Sequence, residues 1–226
     1  MKKVPSHLGI ILDGNRRWAK EKNLPVFEGH RRGVETAKNI IKSAKSKGVN
    51  TVTLFVFSSE NWKRPQKEVD YLMKLLEQAF EKKYIDSVNK ENMRIKVIGQ
   101  KEKLPKSLQK RIKELESLTA KNNAMLVNFA LSYGGRAEIV EAIKSILKKK
   151  INPDEINESV ISKNLWTSDL DLIIRTGKEQ RISNFLIWQA AYSELYFCPK
   201  YWPDFNEKDL DQAFTEYNRR QRRFGR

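Results

Sequence analysis

Short apolar runs recur along this chain at residues 8–12, 51–57, 94–98, 125–131 and 170–174, and several are nearly unbroken. A strand that is apolar at almost every position is buried on both faces, as in a parallel sheet. A weaker run lies at 195–197. Between the runs stand longer segments of helical period: 33–47, 68–89, 104–121, 136–150 and 206–222. The second of these carries Val69, Leu72, Met73, Leu76, Ala79 and Phe80 at three- and four-residue spacing. A further short helix is expected after Asn152-Pro153, a good cap and first-position pair. This alternation predicts an α/β fold with a mainly parallel central sheet surrounded by helices. Neither a repeat nor a linker interrupts it, so residues 1–226 read as a single domain.

Ligands of open parallel sheets bind beyond the carboxyl ends of the strands. The segments that follow the runs are therefore the ones to inspect. After the first come Asp13, Gly14, Asn15, Arg16, Arg17 and Trp18, and after the second Ser58, Ser59, Glu60, Asn61, Trp62, Lys63, Arg64 and Pro65. After the fourth come Ser132 to Arg136, and after the fifth Arg175 to Asn184. Arginine recurs at one rim, which implies a cleft with several anionic groups to hold.

Gly14 lets the backbone approach a ligand, and helix-start amides beyond it favour phosphate oxygens. Arg16 and Arg17 add fork-shaped donors. Asp13 repels phosphate unless a divalent cation bridges the two, which points to Mg²⁺. The plainer reading is an Asp-Gly turn with a cap. Arg175, Arg181 and Ser183 form a second anion set, with Ser183 also a candidate cap for the segment 184–192. Arg175 follows a buried-strand pattern and needs a carboxylate or a ligand, Glu179 being one structural partner. Of the two histidines, His7 reads as structural and His30, in a basic patch, as a phosphate contact.

The net charge is +16, from 44 basic and 28 acidic residues, and attracts nucleic acid, anionic membranes or phosphorylated small molecules. A lysine-rich solvated surface accounts for much of it equally well. Apolar residues, 39% of the chain, suffice for a core, and no 18-residue apolar stretch is present to span a membrane. The N-terminus does not read as a signal peptide. A lone cysteine, Cys198, excludes an intramolecular disulfide and fits a reducing compartment. P-loop, Rossmann, zinc and nucleophile-elbow motifs are missing, as is an aspartate-rich DDxxD cluster.

At these residues the chain resembles the cis-prenyltransferase family. The matching blocks are HLGIILDGNRRWAK from His7, Gly29-His30, FSSENWKRP from Phe57, SYGGR from Ser132, and RTGKEQRISNFLIWQAAYSELYF from Arg175 followed by WPDF; they end at Arg222 to Gly225. The resemblance implies a homodimer that joins isopentenyl diphosphate to an allylic diphosphate such as farnesyl diphosphate. Undecaprenyl diphosphate, for cell-wall lipid carrier synthesis, is the expected product. It further implies a cytoplasmic, Mg²⁺-dependent enzyme with peripheral membrane contact through its lipid product and no nucleic-acid partner. By the same resemblance Asp13 is catalytic and a metal ligand. Gly14, Asn15, Arg17, His30 and Arg64 meet the allylic diphosphate, with Arg16 and Trp18 beside them. Ser58, Asn61 and Trp62 lie near the reacting carbons, Asn61 in a catalytic role. Arg175, Arg181 and Ser183 meet isopentenyl diphosphate. Glu194 matches a metal-site carboxylate at the dimer interface, and Arg223 and Gly225 a motif reaching into the partner's site.

Four positions depart from the family pattern: Arg16 replaces a glycine, Val26 an arginine, Lys178 a small residue and Gln180 a histidine. Arg16 could supply the phosphate donor that Val26 cannot. The product chain needs an apolar tunnel, for which helix 68–89 against the strand 125–131 is the natural wall, and Val56 and Met125 stand where its size could be set. A basic nucleic-acid binder is the rival reading, with motif arginines spread over an exposed face. An inactive partner subunit is a third, disfavoured because Asp13, Arg175, Arg181 and Ser183 are all present.

Overall fold

The computed structural model describes residues 4–220, apart from the side chains of residues 82–85. Arg223 and Gly225 lie outside the described residues. Six strands form one sheet: β1 (His7–Ile11), β2 (Thr51–Ser58), β3 (Met93–Ile98), β4 (Met125–Tyr133), β5 (Leu172–Arg175) and β6 (Glu194–Phe197). Their order is β3-β4-β2-β1-β5-β6, and every pairing is parallel. The helices are α1 (Asn15–Glu21), α2 (Val26–Ser46), α3 (Gln66–Ala79), α4 (Lys82–Lys90), α5 (Lys106–Leu118), α6 (Gly135–Lys148), α7 (Glu158–Asn164) and α8 (Glu207–Arg219).

Helices cover both faces of the sheet, which is why its central strands are largely buried, while the edge strand β3 alternates, with Arg94 and Lys96 exposed. Alternate side chains of one strand enter opposite layers. Leu8 and Ile10 pack with Ile40, Val69, Leu108 and Leu210 in the larger core, while Ile11 joins Phe55, Tyr133 and Phe185 in the smaller one. The chain leaves β1 for β2 on one side and later returns to β5 on the other. That reversal opens a crevice at the carboxyl end of β1.

Three helical expectations need correction. α2 begins at Val26, seven residues before Gly33, so His30 lies within it rather than ahead of it. Glycines weaken a helix in isolation, but here they permit a helix crossing. A Cβ on Gly29 would lie 2.1 Å from the Asn15 carbonyl oxygen, and one on Gly33 would lie 2.5 Å from Asn15 Oδ1. The single helix read at 68–89 is two, α3 and α4. The chain breaks at Phe80, whose buried ring meets Phe129 edge-on at 5.4 Å. Segment 184–192 forms successive turns, not a helix, so Ser183 caps nothing. Ser183, Asn184 and Leu186 have φ of 49°, 64° and 43°, a path that lets Phe185 and Leu186 bury completely. After Asn152-Pro153 comes a 3₁₀ turn, Pro153–Glu155, and then α7 with its own cap, Asn157.

His7 is structural, as its place before an apolar run suggested. Its ring bonds Thr53 Oγ1 at 2.7 Å and the Asp169 carbonyl at 2.9 Å, and Asn128 donates to the same hydroxyl at 3.0 Å. Burial pushes its pKa down from 6.5 to about 4. The unfolded chain therefore binds a proton that the folded chain refuses, and the stability held above pH 6.5 is lost as pH falls toward 4. We expect acidification across this window to remove about 3 kcal/mol through His7. Urea unfolding of wild type and His7→Gln at several pH values measures it, and a slope that survives in the variant would assign the loss elsewhere.

Candidate active site

Asp13 stands just past the end of β1, and its backbone is pinned: its carbonyl accepts from Thr176 Oγ1 at 2.8 Å and Trp202 N at 3.0 Å. Its carboxylate divides between two guanidiniums. Oδ1 accepts from Arg17 Nη2 at 3.0 Å and Oδ2 from Arg175 Nη2 at 2.8 Å. Arg175 ends β5 and is buried, with Nη1 also bonded to Ser183 Oγ at 2.7 Å and to the Arg181 carbonyl. The carboxylate partner of Arg175 is therefore Asp13, not Glu179. Glu179 instead bridges Arg17 at 2.7 Å and Arg181 at 2.6 Å, and both arginines hold its pKa below the usual range, with the Arg181 hydrogen bond the largest cause. Nε of Arg175 is buried with no protein acceptor, a donor still to be satisfied. Gly14 turns the chain into α1 at φ 106°, where a Cβ would meet the Tyr201 ring at 2.5 Å.

A second basic set faces the first. Arg64, His30 and Arg16 gather around Glu68 at 3.0, 3.3 and 3.6 Å. Ser58 and Asn61 close the turn between β2 and α3, with Asn61 Oδ1 accepting from Ser58 N at 3.0 Å. That leaves the Asn61 amide NH₂ as its donor. β2 bulges at this end: Phe55 pairs with Ala130 and Phe57 with Leu131, so Val56 has no counterpart on β4. Bulges beside binding sites re-aim a side chain, and Val56 lines the cleft.

These groups enclose a cleft of ≈ 1070 Å³, lined by Asp13, Gly14, Asn15, Arg16, Arg17, His30, Ser58, Asn61, Arg64, Arg175 and Ser183. Beneath it, between α2, α3 and the sheet, lies an apolar cavity of ≈ 460 Å³. Leu12, Asn15, His30, Val56 and Leu72 line both, so the two are contiguous.

Four of the residues expected at the site stand outside this lining. Trp18 lies under the Lys22 ammonium, 5.3 Å from the ring centre. Trp62 packs edge-on to Phe57 and donates to Ser132 Oγ at 2.9 Å. Arg181 is held at the rim by Glu179. Glu194 pairs with Leu172 at the opposite end of β5 from Arg175, about 10 Å back along the strand, and bonds Arg220 at 3.1 Å. Val26 and Arg16 do line the same cleft. The tunnel wall expected from α3 and β4 is present, but α2 supplies a third side through Val34, Ala37 and Ile41. Val56 lines the cavity, whereas Met125 is buried in the core and does not. Sequence reasoning missed Glu68, although its spacing of four from Arg64 at a helix start is the kind that forms an ion pair.

Residues 11–225 match the Prenyltransf family model, whose description reads "Putative undecaprenyl diphosphate synthase". The chain belongs to this prenyltransferase family. It is similar to an isoprenyl transferase of Streptococcus mutans, with 47% identity over 236 residues that cover 100% of this chain and 94% of that protein. An isoprenyl transferase of Bacillus cereus is 45% identical over 98% of this chain and 88% of its own length. Among solved structures, lavandulyl diphosphate synthase from Lavandula x intermedia in complex with dimethylallyl diphosphate superposes with a TM-score of 0.94 at 38% identity, covering 99% of each chain. The parallel sheet, the helical cover and the prenyltransferase function read from sequence all stand.

The cleft has one element whose stability can be measured without substrate. Asp13→Asn keeps the shape but leaves the buried Arg175 without its counter-charge. We expect a loss of about 1.5–3 kcal/mol in unfolding free energy, as for a lost hydrogen bond to a charged group. Urea denaturation measures it, and undiminished stability would mean that Arg175 does not depend on this carboxylate.

Proposed function

We propose that this prenyltransferase joins isopentenyl diphosphate to an allylic diphosphate, with farnesyl diphosphate as primer, in cis geometry, and that undecaprenyl diphosphate is its product. The observation that carries the reading is the contiguity of an arginine-lined cleft with an apolar cavity. A diphosphate head and a growing hydrocarbon tail require that pair of environments side by side.

The two basic sets divide the labour. Arg16, Arg17, His30 and Arg64, with Asn15, hold the allylic diphosphate, whose tail enters the cavity past Val56 and Leu72. Arg175 and Ser183, with Arg181 from the rim, hold isopentenyl diphosphate, and the unsatisfied Nε of Arg175 is one of the donors. Binding both substrates in one cleft supplies orientation. Fixed guanidiniums stabilise the charge that develops on the departing diphosphate as the allylic C–O bond breaks. Asn61 places an amide donor beside the reacting carbons.

Mg²⁺ fits this donor set. Among the described residues no three His, Cys, Asp or Glu side chains gather into an all-protein site. Mg²⁺ commonly binds through one or two carboxylates plus substrate phosphates. Asp13 is the carboxylate that would hold it, and the ion supplies charge neutralisation at the diphosphate when bound. Asp13 would then exchange Arg17 or Arg175 for the ion, turning those guanidiniums toward substrate. Glu194 stands too far from Asp13 in one chain to share an ion with it, so any metal role for it belongs to a second copy.

That second copy is part of the proposal. α6 exposes Val140, Ile143 and Leu147 on one side, at 49%, 47% and 67%, and this stripe is the face we assign to a homodimer. Light scattering is expected to give twice the chain mass, reduced by Leu147→Glu, and a monomer in the wild type would refute it. The same reading places the enzyme in the cytoplasm with peripheral contact to membrane through its lipid product; no helix among the described residues is long and apolar enough to cross one.

The deciding experiment incubates the protein with farnesyl diphosphate, isopentenyl diphosphate and Mg²⁺, and sizes the product. Turnover is expected to stop in EDTA and to return with Mg²⁺. Full activity in chelator would remove the metal from the mechanism, and absence of any condensation product under all conditions would remove the function.

A further inference from the structure

Glu68 is a carboxylate that neither the cleft nor the cavity touches, yet two arginines and a histidine of the cleft converge on it. It lies in the first turn of α3 and is 6% exposed. A buried carboxylate needs compensation, and a helix start supplies part of it. The remainder comes from three separate elements. Arg64, at the end of the turn after β2, donates from Nη1 at 3.0 Å. His30 of α2 places Nε2 at 3.3 Å, and Arg16 of α1 places Nε at 3.6 Å. All three side chains line the cleft. Each arginine therefore has one edge on Glu68 and other donors left for whatever the cleft holds.

Like charges at this spacing repel one another. Burial pushes the Arg64 pKa down, Glu68 offsets part of that, and neighbouring Arg16 adds to it. His30 is lowered by burial first, raised by Glu68, and lowered again by Arg64 and Arg16. Without the carboxylate, the two arginines would lose their shared counter-charge, and the His30 pKa, already lowered, would fall further.

We propose that Glu68 is a positioning residue: from behind the cleft it holds Arg16, His30 and Arg64 aimed at the allylic diphosphate. The inference rests on the assignment of that substrate to this half of the cleft. It takes no part at the opposite half, where Asp13 braces Arg175. Glu68 also joins the diphosphate site to the tail cavity, since α3 continues into the wall through Leu72, Leu75, Leu76 and Ala79.

The test compares full-length wild type with Glu68→Gln, which keeps the size and removes the charge, and Glu68→Asp, which keeps the charge and withdraws it. The Kd for farnesyl diphosphate is expected to rise about tenfold in Glu68→Gln and by less in Glu68→Asp, as for removal of one charge-assisted hydrogen bond. The KM for isopentenyl diphosphate should stay within about twofold in both, because its donors do not touch Glu68. A pH series gives a readout that packing alone would not move. His30 faces Glu68, Arg64 and Arg16, and without the carboxylate its proton leaves at lower pH. The pH above which farnesyl diphosphate affinity falls should therefore move down in Glu68→Gln. Should Glu68→Gln fail to fold, Glu68→Asp decides alone by the same substrate selectivity. Equal weakening toward both diphosphates, or an unchanged farnesyl diphosphate Kd, would overturn the proposal. Wild type that binds no farnesyl diphosphate would instead overturn the substrate assignment beneath it, and the proposal with it.

Discussion

A guanidinium sealed at the end of a buried strand must have a counter-charge, and here that requirement organises the site. Arg175 is the last residue of β5, beside β1, with its side chain almost wholly out of water. Asp13 reaches it because β1 and β5 are neighbours in register, with Ile11 level with Arg175. The switch in strand order places those two ends together. Asp13 then spans the gap to Arg17 on α1, so the β5 and α1 cations share one carboxylate. Such a pair is not a source of net stability, because desolvation offsets the attraction. It holds donors in place before a ligand arrives, and that is the work a diphosphate site needs done.

Much of this was legible in the sequence because buried parallel strands leave an unusual trace. Their apolar runs located all six strands to within a few residues, and the segments after them contained most of the cleft. Helix boundaries were harder to read. Gly29 and Gly33 argue against a helix by propensity, and only the close passage of Asn15 shows why they are inside one. The break after α3 depends on Phe80 turning inward onto Phe129, a partner distant in the chain. Turns at 184–192 follow from burying Phe185 and Leu186 against the smaller core, a demand no local pattern states. Tertiary packing decided each of these cases over intrinsic preference.

The site residues divide in the same way. Asp13, Arg17, Arg64 and Arg175 could be found because each follows a strand and carries charge. Trp18 and Trp62 belong to the same motifs but point to packing roles, since proximity in sequence to a site does not set a side chain's direction. Glu68 was hidden for the opposite reason: it reads as an ordinary acidic residue in the first turn of a helix. Only the folded chain shows that its three partners come from α1, α2 and the turn after β2.

The walls of the apolar cavity bear on what can set product length. α3 spans about 20 Å from Gln66 to Ala79. Its first turn carries Glu68 behind Arg16, His30 and Arg64, and Phe80, just past its last turn, lines the cavity. The opposite wall is α2, which carries His30 at the cleft and Ile41 deeper in. One pair of helices therefore bounds both the head site and the depth available to the tail. β-strand residues such as Met125 lie within the close-packed core, where a change of volume disturbs the sheet before it alters the cavity. Of the helix side chains on the cavity, Ile41, Leu76 and Phe80 belong to the buried core as well, whereas Val34, Leu72 and Leu75 are only half buried. Variation in cavity size should accordingly track half-buried lining residues, Leu72 and Leu75 of α3 and Val56 at the bulge of β2, before buried ones such as Leu76, Phe80 or the strand-borne Leu54, Phe57, Met93 and Ile95.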